Sequence, residues 1–83
     1  MHYEMTLHAS HVMALRSIET IWLERVLDAP ERIELDRHDA ELTHYLGRIK
    51  EHGNRVLRVV VNTRGTPVRV VTAYFDRAMK GVL

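Results

Sequence analysis

The sequence predicts an α+β domain in which two N-terminal helices pack on a twisted antiparallel sheet. Three observations lead to this prediction. Apolar residues recur at helical spacing within the first thirty residues, alternating apolar and polar residues fill the second half, and 83 residues suffice for one compact domain over 1–83. The composition, 46% hydrophobic and 28% charged, is that of a globular protein and excludes a disordered or fibrous chain.

The first third of the chain reads as one short strand and two helices. An alternating run over 3–7 predicts an edge strand, and the pattern over 8–16 predicts a helix that Ser17 ends. A second helix is predicted over 19–28, because Pro30 follows and cannot continue it. The predicted buried faces of the two helices are Ala9, Val12 and Met13, and Leu23, Val26 and Leu27.

The rest of the chain reads as a meander of strands. A short strand over 32–35 and a polar loop over 37–41 precede three stronger strands, at 42–49, 55–62 and 67–75. Gly53 and Gly65 lie in the two connections between these stronger strands, so we expect two hairpins.

The hairpin register determines which residues share a face. We predict that Val61 pairs with Val68, which groups the apolar residues Leu57, Val59, Val61, Val68 and Val70, together with Tyr45 and Ile49. The opposite face then carries His44, Leu46, Arg48, Arg58, Val60, Arg69 and Val71. This register puts Thr72 and Tyr74 at the end of the buried face, where a β-bulge would be needed to expose them.

Charge is distributed unevenly along the chain. Residues 1–45 hold four Arg or Lys and nine Asp or Glu, a net of −5, whereas residues 46–83 hold eight and two, a net of +6. One interpretation is that the basic half binds a polyanion. The other is that the two halves attract each other within the fold or across a dimer.

Several classes of function lack their sequence signals. The chain has no cysteine, and it shows no glycine-rich phosphate loop or nucleophile elbow. His8 and His11 have a spacing that can bind a metal, but no further ligands accompany them, so we expect neither a metal nor another cofactor. With no secretory start and no long apolar run, we expect a cytoplasmic protein without a membrane partner.

Short motifs form an ordered series along nearly the whole chain. In the first half these are His8-Ala9, Arg16-Ser17-Ile18, Val26-Leu27 and Pro30-Glu31. In the second half they are Tyr45-Leu46-Gly47-Arg48, Leu57-Arg58-Val59-Val60-Val61 and Val70-Val71-Thr72-Ala73-Tyr74. In order and spacing, these motifs resemble the bacterial family catalogued as domain of unknown function four-two-five-eight. Two positions depart from the family pattern: Ser17 replaces a glycine, and Glu19 replaces the serine expected to cap the second helix.

The resemblance implies a fold and a function. The family is usually grouped with small toxin folds of the RelE, ParE and BrnT kind, which implies a RelE-like domain and a role as the toxin of a toxin–antitoxin pair. Metal-independent RNA cleavage needs a base, an acid and cations that stabilise the phosphate. By resemblance, the catalytic candidates are His8, Arg16, Arg48, Thr72 and Tyr74.

Analysis of the strand faces gives a second, overlapping set of candidates. His44, Arg48, Arg58 and Arg69 share the predicted basic face and are candidates for binding nucleic acid. The structural alternatives are that these arginines form a solvated face, that His8 hydrogen-bonds a neighbouring strand, and that Arg16 ties the helix turn to the acidic loop.

Two large apolar residues lie off the buried face of the second helix. Ile21 points away from that face and Trp22 lies on its flank, so we predict that both bind a protein partner, either an antitoxin or the second copy in a homodimer. The alternative is that the N-terminal segment or the C-terminal tail covers them. Two functions therefore remain open: a toxin-fold RNA-binding protein with metal-independent ribonuclease activity, and a non-catalytic protein-interaction domain of the same fold.

Overall fold

The first helix begins and ends at signals written in the sequence. The computed structural model describes residues 1–83 and places α1 at Leu7–Leu15. The Thr6 hydroxyl accepts a hydrogen bond from the Ala9 amide at 3.1 Å and so caps the helix. Beyond the helix, Ser17 adopts a φ of 53°. This left-handed conformation costs a non-glycine residue about 1 kcal/mol.

The second helix, α2, spans Thr20–Asp28 and packs on the sheet with its apolar face. Leu23, Val26 and Leu27 are buried, as predicted. Glu19 occupies the N-cap position without a side-chain hydrogen bond, so no side chain caps this helix.

The five strands form one mixed sheet. The strands are β1 (Tyr3–Met5), β2 (Arg32–Leu35), β3 (Leu42–Ile49), β4 (Arg55–Asn62) and β5 (Val68–Phe75). They lie in the order β1-β5-β4-β3-β2, and two short 3₁₀ turns, Lys50–His52 and Arg77–Met79, follow β3 and β5. The prediction of an α+β domain is confirmed. The prediction of an antiparallel sheet is wrong in one respect, because β1 pairs parallel with β5.

The register between β4 and β5 differs from the predicted one. Val61 pairs with Val70 rather than Val68, and a bulge interrupts the ladder between Val60 and Val61. A shift of two residues keeps the same side chains on each face, so the predicted apolar face survives. The bulge then changes the alternation: Ala73 lies in the core, and Val60 pairs with Thr72.

The core lies between the helices and the apolar face of the sheet. Its sheet residues include Ile49, Leu57, Val59 and Val61, as the predicted faces required. Gly47 of β3 lies beneath α2, where a Cβ would stand 3.1 Å from Val26 Cγ2. A side chain at this position would therefore require Val26 to shift by a few tenths of an ångström.

Candidate nucleic-acid interface

Arg58 is the centre of an ionic network on the sheet face opposite the core. Its Nε donates to Asp76 Oδ2 at 2.9 Å, and its Nη1 donates to Glu34 Oε1 at 3.0 Å. Only 10% of the side chain is exposed. Burial is the largest single influence and acts to lower the pKa of Arg58, but the hydrogen bonds to the two carboxylates, together with nearby negative charge, outweigh it and raise that pKa. The guanidinium of Arg58 is therefore a buried, compensated charge.

His44 extends this network towards the loop after β2. Arg58 Nη1 lies 2.9 Å from His44 Nδ1, and His44 Nε2 lies 2.8 Å from Asp36 Oδ1. Since an arginine nitrogen can only donate, Nδ1 accepts and the ring proton sits on Nε2, facing Asp36. The bond from His44 lowers the pKa of Asp36. Both ring nitrogens of His44 are thus occupied.

The bulge in β5 brings two of the catalytic candidates, Thr72 and Tyr74, onto this face. Tyr74 is the cross-strand partner of Arg58, and Thr72 is the partner of Val60. Tyr74 lines a cavity of about 340 Å³ together with His44, Arg58 and Asp76, which we call the Arg58 cavity. Exposure of Thr72 and Tyr74 was predicted to require a bulge, and the β4–β5 ladder contains one.

Arg48 lies at the surface and is paired with an acid from the first half. Its Nε donates to Glu31 Oε1 at 2.9 Å, and its Nη2 lies 2.8 Å from the same oxygen. The hydrogen bond to Arg48 lowers the pKa of Glu31. The positive charge of Arg48 is therefore neutralised locally.

The predicted basic face is consequently not a free cationic surface. Three acids of the first half, Glu31, Glu34 and Glu41, form ion pairs with Arg48, Arg58 and Arg64 of the second half. Ion pairs between the two halves of the chain thus explain part of the uneven charge distribution without a polyanion. Arg69 is exposed and forms no ion pair, but it lies opposite Glu4 near the start of β5.

His8 and Arg16 lie apart from this face. His8 is exposed in the first turn of α1 and lines a shallow cavity with Leu7, Ser10 and His11. Arg16 Nη1 donates to the Ala73 carbonyl at 2.7 Å and so ties the end of α1 to β5. The five catalytic candidates are therefore not gathered into one site.

The predicted exposure of Trp22 is wrong, whereas that of Ile21 is confirmed. Trp22 is 6% exposed and belongs to the core, while Ile21 is 60% exposed. The ring of His52 lies 5.1 Å from the Trp22 ring, and Phe75 meets it edge-on at 6.1 Å. The 3₁₀ turn after β3 thus contributes to covering the flank that a helical wheel places outside the core.

A cluster of cations that the sequence analysis missed surrounds the ends of β4 and β5. Arg55, Arg77 and Lys80 line a cavity of about 270 Å³ with Val56, Phe75 and Asp76, which we call the cationic pocket. None of these three cations forms an ion pair. Asp76 is engaged by Arg58, and its other oxygen accepts from the Ala78 amide at 3.1 Å.

The antiparallel pairing of β4 with β5 was the signal that could have revealed this pocket. Pairing of Leu57 with Phe75 places the start of β4 beside the residues that follow β5. The Asp76 amide donates to the Val56 carbonyl at 2.9 Å and continues the pairing. Arg77 and Lys80 stand outside the strand pattern, so a search confined to strand faces overlooks them.

The structure contains neither a cluster of metal ligands nor a helix that could span a membrane. No group of three or more His, Cys, Asp or Glu side chains is arranged to hold a metal ion. No helix is both long and apolar enough to cross a membrane.

Comparison with known proteins identifies the family of the chain. The profile of the family described as domain of unknown function DUF4258 matches residues 5–75, which is most of the chain. No match was found among curated proteins or among solved structures. The motifs that suggested this family, from His8-Ala9 to Tyr74, all lie within the matched range. The chain therefore belongs to the DUF4258 family.

Proposed function

We propose that this domain binds RNA through its sugar-phosphate backbone, with the cationic pocket as the main phosphate-binding site. The observation that carries the proposal is the contrast between cations. Arg55, Arg77 and Lys80 line one cavity and form no ion pair, and the acid of that cavity, Asp76, is bound by Arg58, whereas Arg48 and Arg58 are neutralised by carboxylates. Unpaired cations are those that gain most from a phosphate, because they give up no existing ion pair.

Phe75 adds an aromatic contact to the same pocket. Its ring is half-buried, stands 4.8 Å from the ring of His52, and lines the cavity with the three cations. Proteins that bind single strands combine cations that follow the backbone with aromatic rings that stack on bases. A single-stranded RNA fits this chemistry, and the choice of RNA over DNA rests on the resemblance to RelE-like toxin folds.

Binding should depend steeply on salt and on the three pocket cations. We would measure fluorescence anisotropy with a single-stranded RNA and with the DNA of the same sequence, over a range of salt concentrations. Each phosphate contact contributes about −0.7 to the log–log slope for single strands, so replacing Arg55, Arg77 and Lys80 by Gln should reduce the slope by roughly 2.

A matched control separates the contribution of the cationic pocket to RNA affinity from the contribution of net charge. The triple variant Arg25→Gln/Arg48→Gln/Arg64→Gln removes the same charge from exposed arginines that already have acidic partners. This control should retain most of the RNA affinity. Equal losses in the two triple variants would show that only net charge matters and would refute the pocket as the site.

A second candidate function, metal-independent RNA cleavage, is favoured by the position of Tyr74. Tyr74, His44 and Arg58 line the Arg58 cavity, and Asp76 lines both this cavity and the cationic pocket. Cleavage should survive EDTA and fall by ~10²-fold in Tyr74→Phe, as expected when a proton donor is lost. Because Arg58 and Asp36 occupy both nitrogens of His44, that ring can act as a base only after Arg58 turns away.

In the cell, we expect this domain to act as the toxin of a toxin–antitoxin pair. Induced expression should arrest growth, and total RNA should lose integrity if the domain cleaves RNA. Growth arrest with intact RNA would favour binding without cleavage. Normal growth, together with no RNA affinity in the binding assay, would favour a non-catalytic protein-interaction domain.

A further inference from the structure

The outer edge of β2 has free backbone groups. β2 is the last strand of the sheet, so only one of its sides has a neighbour. The Asp36 amide donates to the Leu42 carbonyl at 3.2 Å, and antiparallel pairing alternates along a strand. Arg32, Glu34 and Asp36 therefore direct their amides and carbonyls towards β3, whereas Ile33 and Leu35 direct theirs outwards.

The side chains of the same two residues are unusually exposed for apolar groups. Ile33 is 57% exposed and Leu35 is 77% exposed. Both alternate with Glu34, so they share one face of the strand. Edge strands of monomeric proteins commonly avoid pairing through charged side chains, prolines or bulges, and neither of these two positions carries any of them.

We propose that β2 pairs antiparallel with β2 of a second copy, so that two sheets join across a two-fold axis at Glu34. In this register Ile33 lies opposite Leu35 of the second copy, and Leu35 lies opposite Ile33 of the second copy. All outward amides and carbonyls of these two residues then find partners. The register also places the exposed apolar side chains of both copies on one face.

The charges along β2 suit this self-pairing. Arg32 comes opposite Asp36 of the second copy, and it is also a diagonal neighbour of the second copy's Glu34. The two Glu34 side chains face each other, but each is already bound by Arg58 of its own chain at 3.0 Å. A second copy therefore meets opposite charges without leaving two carboxylates uncompensated. This inference is independent of RNA binding.

Sedimentation velocity on the full chain across the micromolar range tests the proposal. The wild type should show a reversible monomer–dimer equilibrium, and Ile33→Lys should weaken the dimer at least about tenfold by placing a charge beside Leu35 of the second copy. Ile21→Lys is the matched control, because it makes the same change at an equally exposed isoleucine on α2. Circular dichroism should show that both variants remain folded.

Amide hydrogen exchange identifies the surface involved. Exchange at Ile33 and Leu35 should slow as the protein concentration rises, while the inward amide of Glu34 should be protected at every concentration. A wild type that stays monomeric throughout would overturn the proposal. A dimer that Ile21→Lys disrupts would also overturn the proposal. So would a dimer whose formation leaves amide exchange at Ile33 and Leu35 unchanged.

Discussion

Arg58→Met should destabilise the domain strongly, although the substitution preserves most of the aliphatic volume. Arg58 compensates two carboxylates, those of Asp76 and Glu34, and donates to His44. Removing one partner from a buried ion pair costs about 3–5 kcal/mol, because the remaining charge is left without compensation. Glu34 is partly exposed, so water screens it in the variant. We therefore expect a loss near the lower end, about 3 kcal/mol.

Urea unfolding followed by circular dichroism near neutral pH measures this loss. A loss of about 3 kcal/mol should lower the melting temperature of a domain of this size by roughly 12–24 °C. Arg48→Met is the matched control, because it removes an arginine from an exposed ion pair with Glu31, and it should cost less than about 1 kcal/mol.

A compensating variant tests the physical cause. Replacing Glu34 by Gln and Asp76 by Asn in the Arg58→Met background removes the uncompensated charges, so this triple variant should be more stable than Arg58→Met alone. The reasoning is refuted if Arg58→Met costs no more than Arg48→Met. It is also refuted if the two added substitutions only reduce stability further.

Three further predictions follow from packing and charge. Trp22→Ala should cost about 3–5 kcal/mol in urea unfolding, and the wild-type Trp emission should already be blue-shifted, whereas an interface residue would leave the free monomer stable. Gly47→Ala should cost about 1–3 kcal/mol, because the new Cβ would press on Val26; an unchanged midpoint would mean that α2 adjusts freely. The pKa of Glu51 is lowered to about 2, chiefly by the hydrogen bond from Arg25. The stabilisation that the Arg25–Glu51 pair gives the folded state is therefore present above the ordinary glutamate pKa of about 4.3 and is lost as the pH falls towards 2. An NMR titration should show this pKa rising towards the ordinary glutamate value in Arg25→Gln, and an unchanged value would exclude the pair as the main cause.

The elements of the fold were predictable because each has a strong local signal. Helical spacing located α1, and alternation between turn residues located β3, β4 and β5. The direction of β1 was not predictable in this way. Its three residues contain no turn or crossover signal, and its parallel pairing with β5 depends on where α1 and the rest of the sheet place it.

The environment of a side chain was harder to predict than its face. Arg58 lies on the predicted face, but its burial depends on Glu34, His44 and Asp76, which come from three separate segments of the chain. Trp22 was misplaced for a similar reason, because a helical wheel contains no information about the turn that carries His52. Both errors concern contacts between residues that are distant in sequence.

The charge asymmetry shows why pairing, rather than net charge, indicates where a polyanion can bind. The sequence places a net of +6 in the second half and thereby favours its sheet arginines as a group. In the fold, Arg48 and Arg58 hold acids of the first half, and the unpaired cations Arg55, Arg77 and Lys80 collect where β4 begins and β5 ends. A phosphate at Arg58 would have to displace a carboxylate, whereas Arg55, Arg77 and Lys80 hold no carboxylate that a phosphate would have to displace. The end of the sheet, rather than its face, is therefore the surface on which nucleic-acid binding should be tested first.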